Sequence, residues 1–487
     1  MLPQMKLFDS AFLSSLVQEF RASMRGLVSD LCDDLRAHYR RPAAALRLPV
    51  DYVRSVGNSL KLEDYSNWKV VGWIEELNDL VYFLDVREQL RRERNRQEFA
   101  EEFLAECELQ FYENTYLDDL FPNRRPDPAK LPARLSALCT KLARSVTQES
   151  WFLVPDPRRI GLVRRTRRMG NVPLELGPNF ERAELPGCLA IGLDGARVRL
   201  TGARVVPPEW LRRPGPGWPA GLTLGPALIY GRDRTPSRVA PAPPGVADRV
   251  QRALAVIEQA WPDGAQLLGC LTSRIIPLKA KGVVSFSYRH RPGLSFINCF
   301  DRDDLDLIDD LIHENSHHHL NLLLRKYVMY RDDDNQEIFY SPWRRSLRPL
   351  RGILHAAFTF TMGAILFERL SSFQASGKGQ GASGRTMLTE QQLLRARFRC
   401  LEEVESVRYS LKDLESARKL GWLTPAGWGL VSSLKGEIEK VGKRITPYES
   451  AVLKSKYGAE LKRHWKELAE ARNTYGPNCI PVSTPVS

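Results

Sequence analysis

Apolar residues recur at helical spacing through FLSSLVQEFRASMRGLVSDLCDDL (12–35) and VVGWIEELNDLVYFLDV (70–86), which predicts amphipathic helices. The second run continues into REQLRRERNRQEFAEEFLAECELQF (87–111), whose charges suit one long helix with a wet face. FPNRRPDPAKLP (121–132) is rich in helix-breaking proline and reads as a connection. From about 150 to 245 the pattern changes. Short β-favouring pieces, FLVP (152–155), IGLV (160–163), CLAIGL (188–193), ARVRLTG (196–202) and ALIYG (227–231), alternate with turns such as PPEW and RPGPGWPAG. The Pro-rich RTPSRVAPAPPGVADR (234–249) leads into a helix near 246–261.

RIIPLKA (274–280), VVSFSY (283–288) and LSFIN (294–298) predict three successive strands. DDLDLIDDLIHENSHHHLNLLLRKYV (303–328) then predicts a long helix whose acidic first turn suits the macrodipole. Beyond the polar segment RDDDNQE (331–337), residues from about Leu350 to Leu370 predict a buried helix. The Gly/Ser-rich SSFQASGKGQGASGR (371–385) predicts a flexible loop, and further helices are expected at about 388–419 and 428–471. The fold class is α+β, predominantly helical. Four regions are expected: helical 1–122, mixed and β-rich 123–245, a core at 246–376, and helical 377–487.

At 487 residues the chain can bury a large core without disulfide staples. Its eight cysteines are scattered and none falls at CxxC spacing, so they read as reduced, mostly buried thiols in a reducing, cytoplasmic setting. The first residues resemble an amphipathic helix more than a signal peptide, and no stretch approaches about 18 uninterrupted apolar residues. The net charge of +13 is spread over short runs such as RRERNR (91–96), VRRTRR (163–168) and WRRSLR (343–348). None is interleaved with aromatics as in a nucleic-acid module, so neither a specific nucleic acid nor a membrane is expected as partner.

The chemistry concentrates in His313-Glu314-Asn315-Ser316-His317. Two histidines four residues apart lie about one helical turn apart and can share one metal ion from one face. His318 and His319 point about 100° and 200° away from His317, which makes them packing residues rather than ligands. A catalytic metal needs a third ligand, and the next helix offers His355 or Glu368. Those two stand about 140° apart around that helix, so they cannot both face the ion; His355 is favoured. Glu314 would be the general base in a zinc peptidase, or a hydrogen-bonding partner in an oxygenase. Between the helices, YSPWRRSLRPLR supplies Arg344, Arg345, Arg348 and Arg351, whose guanidinium forks suit the carboxylate of a dicarboxylic co-substrate.

The combination LIHENSHHHLN, then YSPWR, RP and GILHAAF, resembles the HExxH-type peptide β-hydroxylases found with ribosomally made, modified peptides. The resemblance covers about 270–370. It implies an iron(II)- and 2-oxoglutarate-dependent oxidoreductase that hydroxylates side chains of a precursor peptide. It also implies iron held by His313, His317 and His355, and 2-oxoglutarate gripped by Arg344 or Arg348. A small zincin-like sheet is expected against the motif helix, with an edge strand able to pair with an extended peptide. Two other readings stand beside it. One is a zinc metallopeptidase using His313, His317 and Glu368 as ligands and Glu314 as base. The other is a non-enzymatic, basic helical binding protein.

Overall fold

The computed structural model describes residues 7–110, 116–153, 190–194, 197–201, 209–211, 222–289, 291–331, 336–375 and 388–476. IGLV (160–163), the VRRTRR run, RPGPGWPAG (213–221) and most of the Gly/Ser-rich loop lie outside them, as do Cys188 and Cys479. The chain divides into two compact units, Glu19–Pro207 and Met1–Gln18 with Pro208–Ser487.

The first unit is built on α1 (Ser10–Ala37) from Glu19 onward, α2 (Arg40–Ala45), α3 (Val50–Ser59), α4 (Trp68–Arg92), α5 (Arg96–Gln110), α6 (Leu117–Leu120) and α7 (Leu131–Leu153). Its core is apolar, with Tyr65, Trp73, Leu77, Phe83 and Phe121 nearly inaccessible. The long helix expected across 87–111 is broken at 93–95. There the Glu93 carboxylate accepts the Arg94 and Asn95 amides, and Asn95 accepts from Glu98 N–H as a fresh N-cap. FLVP, expected as a strand, begins inside α7 instead. Leu131, Leu135, Leu138, Leu142 and Val146 recur at helical spacing and are buried, and that longer pattern overrides the local β preference. Nearby, β1 (Ala190–Asp194) and β2 (Arg197–Thr201) form an antiparallel hairpin.

The second unit carries a seven-stranded mixed sheet: β3 (Glu209–Trp210), β4 (Thr223–Leu224), β5 (Ala227–Tyr230), β6 (Pro236–Ala240), β7 (Arg274–Lys279), β8 (Phe286–Ser287) and β9 (Leu294–Asn298). Central β7 pairs in parallel with β4 and β5 on one side and with β9 on the other. Beyond β9 lies β8, antiparallel and at the edge. The helices are α8 (Val246–Ala260), α9 (Pro262–Leu271), α10 (Asp304–Lys326), α11 (Leu350–Ala375), α12 (Glu390–Lys419), α13 (Pro425–Ile445), α14 (Glu449–Leu453) and α15 (Gly458–Tyr475). A hairpin of β10 (Phe339–Ser341) and β11 (Ser346–Arg348) precedes α11.

The single helix expected over 428–471 is interrupted at Pro447 and again before Gly458, where a Cβ would meet the Leu453 carbonyl at 2.0 Å. α11 is the one described helix long and apolar enough to cross a membrane, but 72% of its most apolar window is buried inside the protein. Helix α12 meets α10 through ion pairs: Arg395 bridges Asp303 and Asp306, and Arg399 reaches Asp309. Part of the positive charge is therefore spent internally.

Candidate functional site

Helix α10 starts where Asp303 accepts the Asp306 amide, with Asp304 and Asp306 in the first turn. Leu305, Ile308, Leu311, Ile312, Leu320 and Leu323 bury one side of it. On the other, His313 and His317 are partly exposed, their ring centroids 5.0 Å apart at 80°. His355, on the second turn of α11, is also partly exposed, 6.3 Å from the His317 ring. The pair thus lies on α10 and the third histidine on α11.

Two imidazoles on one ion, each with a metal–nitrogen distance of about 2.0–2.1 Å, have centroids roughly 4.5–5.3 Å apart. The His313–His317 pair fits that range, and the His317–His355 pair is about 1 Å too wide. Among the described residues no three His, Cys, Asp or Glu side chains converge as a closed metal-holding group. Imidazole nitrogens are donors that divalent transition metals accept. Burial pulls all three imidazoles below their ordinary range. In His313 Asp309 opposes this and Arg399 adds to it; His317 lies well below, pushed further by His313 and His355. His355 is lowered to about 4 by burial, then by Arg289 and Arg351. All three are therefore neutral, the form that ligates.

Glu314 is buried and accepts a 2.7 Å hydrogen bond from Ser287 Oγ on the edge strand. Burial pushes its carboxyl up to about 8. One turn earlier, Asp310 accepts from Ser285 Oγ at 2.6 Å and is raised by burial to about 6. Two serines two residues apart on the β8 segment thus hold two carboxyls four residues apart on α10. His318 turns to β9, its Nε2 3.0 Å from Ser295 Oγ and its Nδ1 accepting the Gly293 amide. His319 lies edge-on to Phe358, and its Nε2 has no partner among the described residues.

Glu368 is buried on α11 with its carboxylate turned to Ser372, Arg369 and, on α13, Arg444 at 3.3 Å. Arg344 and Arg348 are exposed in and after the β10–β11 turn, and Arg348 lies along the first turn of α11 beside Gly352. Neither has an ion-pair partner among the described residues.

Several neighbours of the histidines carried no chemical expectation from sequence. Trp343 stacks on Phe360 (4.2 Å, 5°), and Phe360 meets the His313 ring at 5.3 Å. The Trp343 indole donates to Glu403 at 2.8 Å, and Glu403 pairs with Arg399, which also pairs with Asp309. Burial raises the Glu403 carboxyl to about 8. Asp309 precedes His313 by four residues and was findable from spacing. Arg399 and Glu403 come from a distant helix and were not, and nor was Arg289, exposed just past β8. A cavity of about 550 Å³ lies elsewhere, among α12, α13 and α15, lined by Arg408, Tyr409, Glu439, Trp465 and Arg472. It contains none of the histidines.

Compared with known protein families and with curated proteins, the chain matches no family model and no curated sequence.

Proposed function

We propose that this protein is an iron(II)- and 2-oxoglutarate-dependent hydroxylase acting on side chains of a ribosomally made precursor peptide, in the reducing cytoplasm. The observation that carries the reading is the set of three partly exposed histidines, His313, His317 and His355, two on α10 and one on α11. When bound, iron(II) with 2-oxoglutarate and dioxygen supplies the hydrogen abstraction and hydroxyl transfer. Arg344 and Arg348, exposed ahead of His355, offer guanidinium forks for the co-substrate's distal carboxylate. Glu314, hydrogen-bonded to Ser287, acts by orienting the edge strand and the substrate beside it. A mixed sheet with an antiparallel edge strand against the motif helix supports a zincin-like arrangement, in which an extended peptide pairs with β8. The engagement of Glu368 by Arg444 and Ser372 weighs against the zinc-peptidase ligand set.

The test is anaerobic loading with iron(II) followed by 2-oxoglutarate. A weak visible charge-transfer band requiring both is expected, lost in His355→Ala and in Arg344→Ala or Arg348→Ala, with Arg289→Ala as the comparison. One tightly held zinc per chain and no such band would return the site to a peptidase with Glu314 as base. No metal uptake at all would leave a binding protein.

A further inference from the structure

Ligating histidines are commonly oriented by a hydrogen bond at the second ring nitrogen. None of His313, His317 and His355 has such a bond to a described residue, so the His313 ring must be aimed by packing. The packing has an origin that can be followed. Phe360 stands edge-on to His313, Trp343 lies flat on Phe360, and the Trp343 indole is tied to Glu403. Glu403 is almost inaccessible and pairs with Arg399 at 3.4 Å. The same Arg399 nitrogen reaches Asp309 at 3.3 Å, one turn before His313 on α10.

We propose that Arg399 and Glu403 of α12 are positioning residues for the histidine site, with Arg399 holding Glu403 and Glu403 acting on His313 through Trp343 and Phe360. The proposal rests on reading the three histidines as a metal site. A carboxylate as deeply buried as Glu403 is costly unless its partners use it. Joining α10 to α12 does not require it, because Arg395 already bridges the same two helices through Asp303 and Asp306. What Glu403 adds is a hold on Trp343, which sits in the turn between β10 and β11 and has no part in that helix pairing. Removing it frees the indole, lets the Trp343–Phe360 stack drift, and leaves the His313 ring without a fixed plane.

The experiment is a cobalt(II) titration of the apo protein followed by its visible d–d absorbance, with Trp343 emission measured in parallel. That emission is the difference between each protein and its Trp343→Phe version. Glu403→Leu is expected to weaken cobalt binding about tenfold or more and to red-shift the Trp343 emission. Glu403→Gln keeps an oxygen acceptor for the indole and should restore both. Arg395→Gln should move neither. Unchanged cobalt affinity in Glu403→Leu, or an equal loss in Arg395→Gln, overturns the proposal. If Glu403→Leu does not fold, Trp343→Phe keeps an aromatic ring against Phe360 while losing the N–H donor and the five-membered ring; a several-fold loss of cobalt affinity supports the relay and no loss overturns it. If the wild type takes up no cobalt, the metal reading fails by itself. The emission then decides: a shift in Glu403→Leu supports the hold on Trp343, and an unshifted spectrum removes it.

Discussion

The two compact units hide different things. In the unit of Glu19–Pro207 the interior is aliphatic and aromatic, and Lys69 and Ser150 are the only polar side chains buried among its described residues. Two of its large aromatics close their polar groups on the backbone, Trp73 Nε1 on the Val146 carbonyl and Tyr65 OH on that of Gly57. In the sheet-bearing unit the buried set includes Glu314, Asn315, Ser316, His318, His319, Asn321, Glu368, Glu403 and Asp413. Burying such groups costs free energy unless each finds partners, so a chain that concentrates them in one place is using them. One unit is held by packing that any well-shaped apolar set could supply. The other buries polar groups on α10, α11 and α12 that each require a partner.

If that contrast is sound, the largest effect is functional and confined to one unit. His317→Ala should abolish metal uptake and turnover while changing the denaturation midpoint little, since the ring is partly exposed and makes no hydrogen bond to a described residue; metal titration alongside urea unfolding checks both halves. Phe83→Ala should do the reverse, costing about 3–5 kcal/mol of stability with cobalt affinity unchanged once folded protein is selected. A large loss of affinity there would break the contrast.

Next comes acid sensitivity. His319 is buried and neutral, its proton affinity lowered from 6.5 to about 4 by burial. The unfolded chain takes up the proton first as pH falls, so the wild type loses stability between pH 6.5 and about 4. His319→Leu lacks that loss. Its stability relative to the wild type should rise by on the order of 3 kcal/mol across the window, read from urea titrations at both ends. A pH-independent difference would show that His319 takes up its proton alike in the folded and unfolded chain. The smallest effect is expected at Thr272, whose hydroxyl donates to Asn315 Oδ1 at 2.9 Å. Thr272→Val leaves a buried acceptor unmet and should cost about 1–3 kcal/mol; a neutral result would mean that Asn315 repartners.

How much of this was legible beforehand follows from the range of the interactions. The α10 register, its acidic start and the one-face pairing of His313 with His317 are local, and periodicity revealed them. So did the strands 274–279 and 294–298. The boundaries that failed were decided by a few groups: Glu93 and Asn95 end one helix and start another, and Pro447 splits a third. In the site, His355 was reachable because only one turn of reasoning separates it from the motif. Trp343 was in plain view but was weighed only for its arginine neighbours. Arg399 and Glu403 act across folded distance, and nothing in their local pattern distinguishes them from the other charged residues of α12.

The paired serines and carboxyls between the edge strand and α10 have a mechanical consequence. Two residues along a strand advance about 6.6 Å and four along a helix about 6 Å, so Ser285 and Ser287 mesh with Asp310 and Glu314 like two teeth in two slots. A strand displaced by one residue would replace both serine hydroxyls at once, with Phe286 at one carboxyl and Val284 or Tyr288 at the other. The edge is thereby proofread by the helix that carries His313 and His317. A force that slides β8 lengthwise therefore loads the same two hydrogen bonds that fix the register of α10 against the sheet.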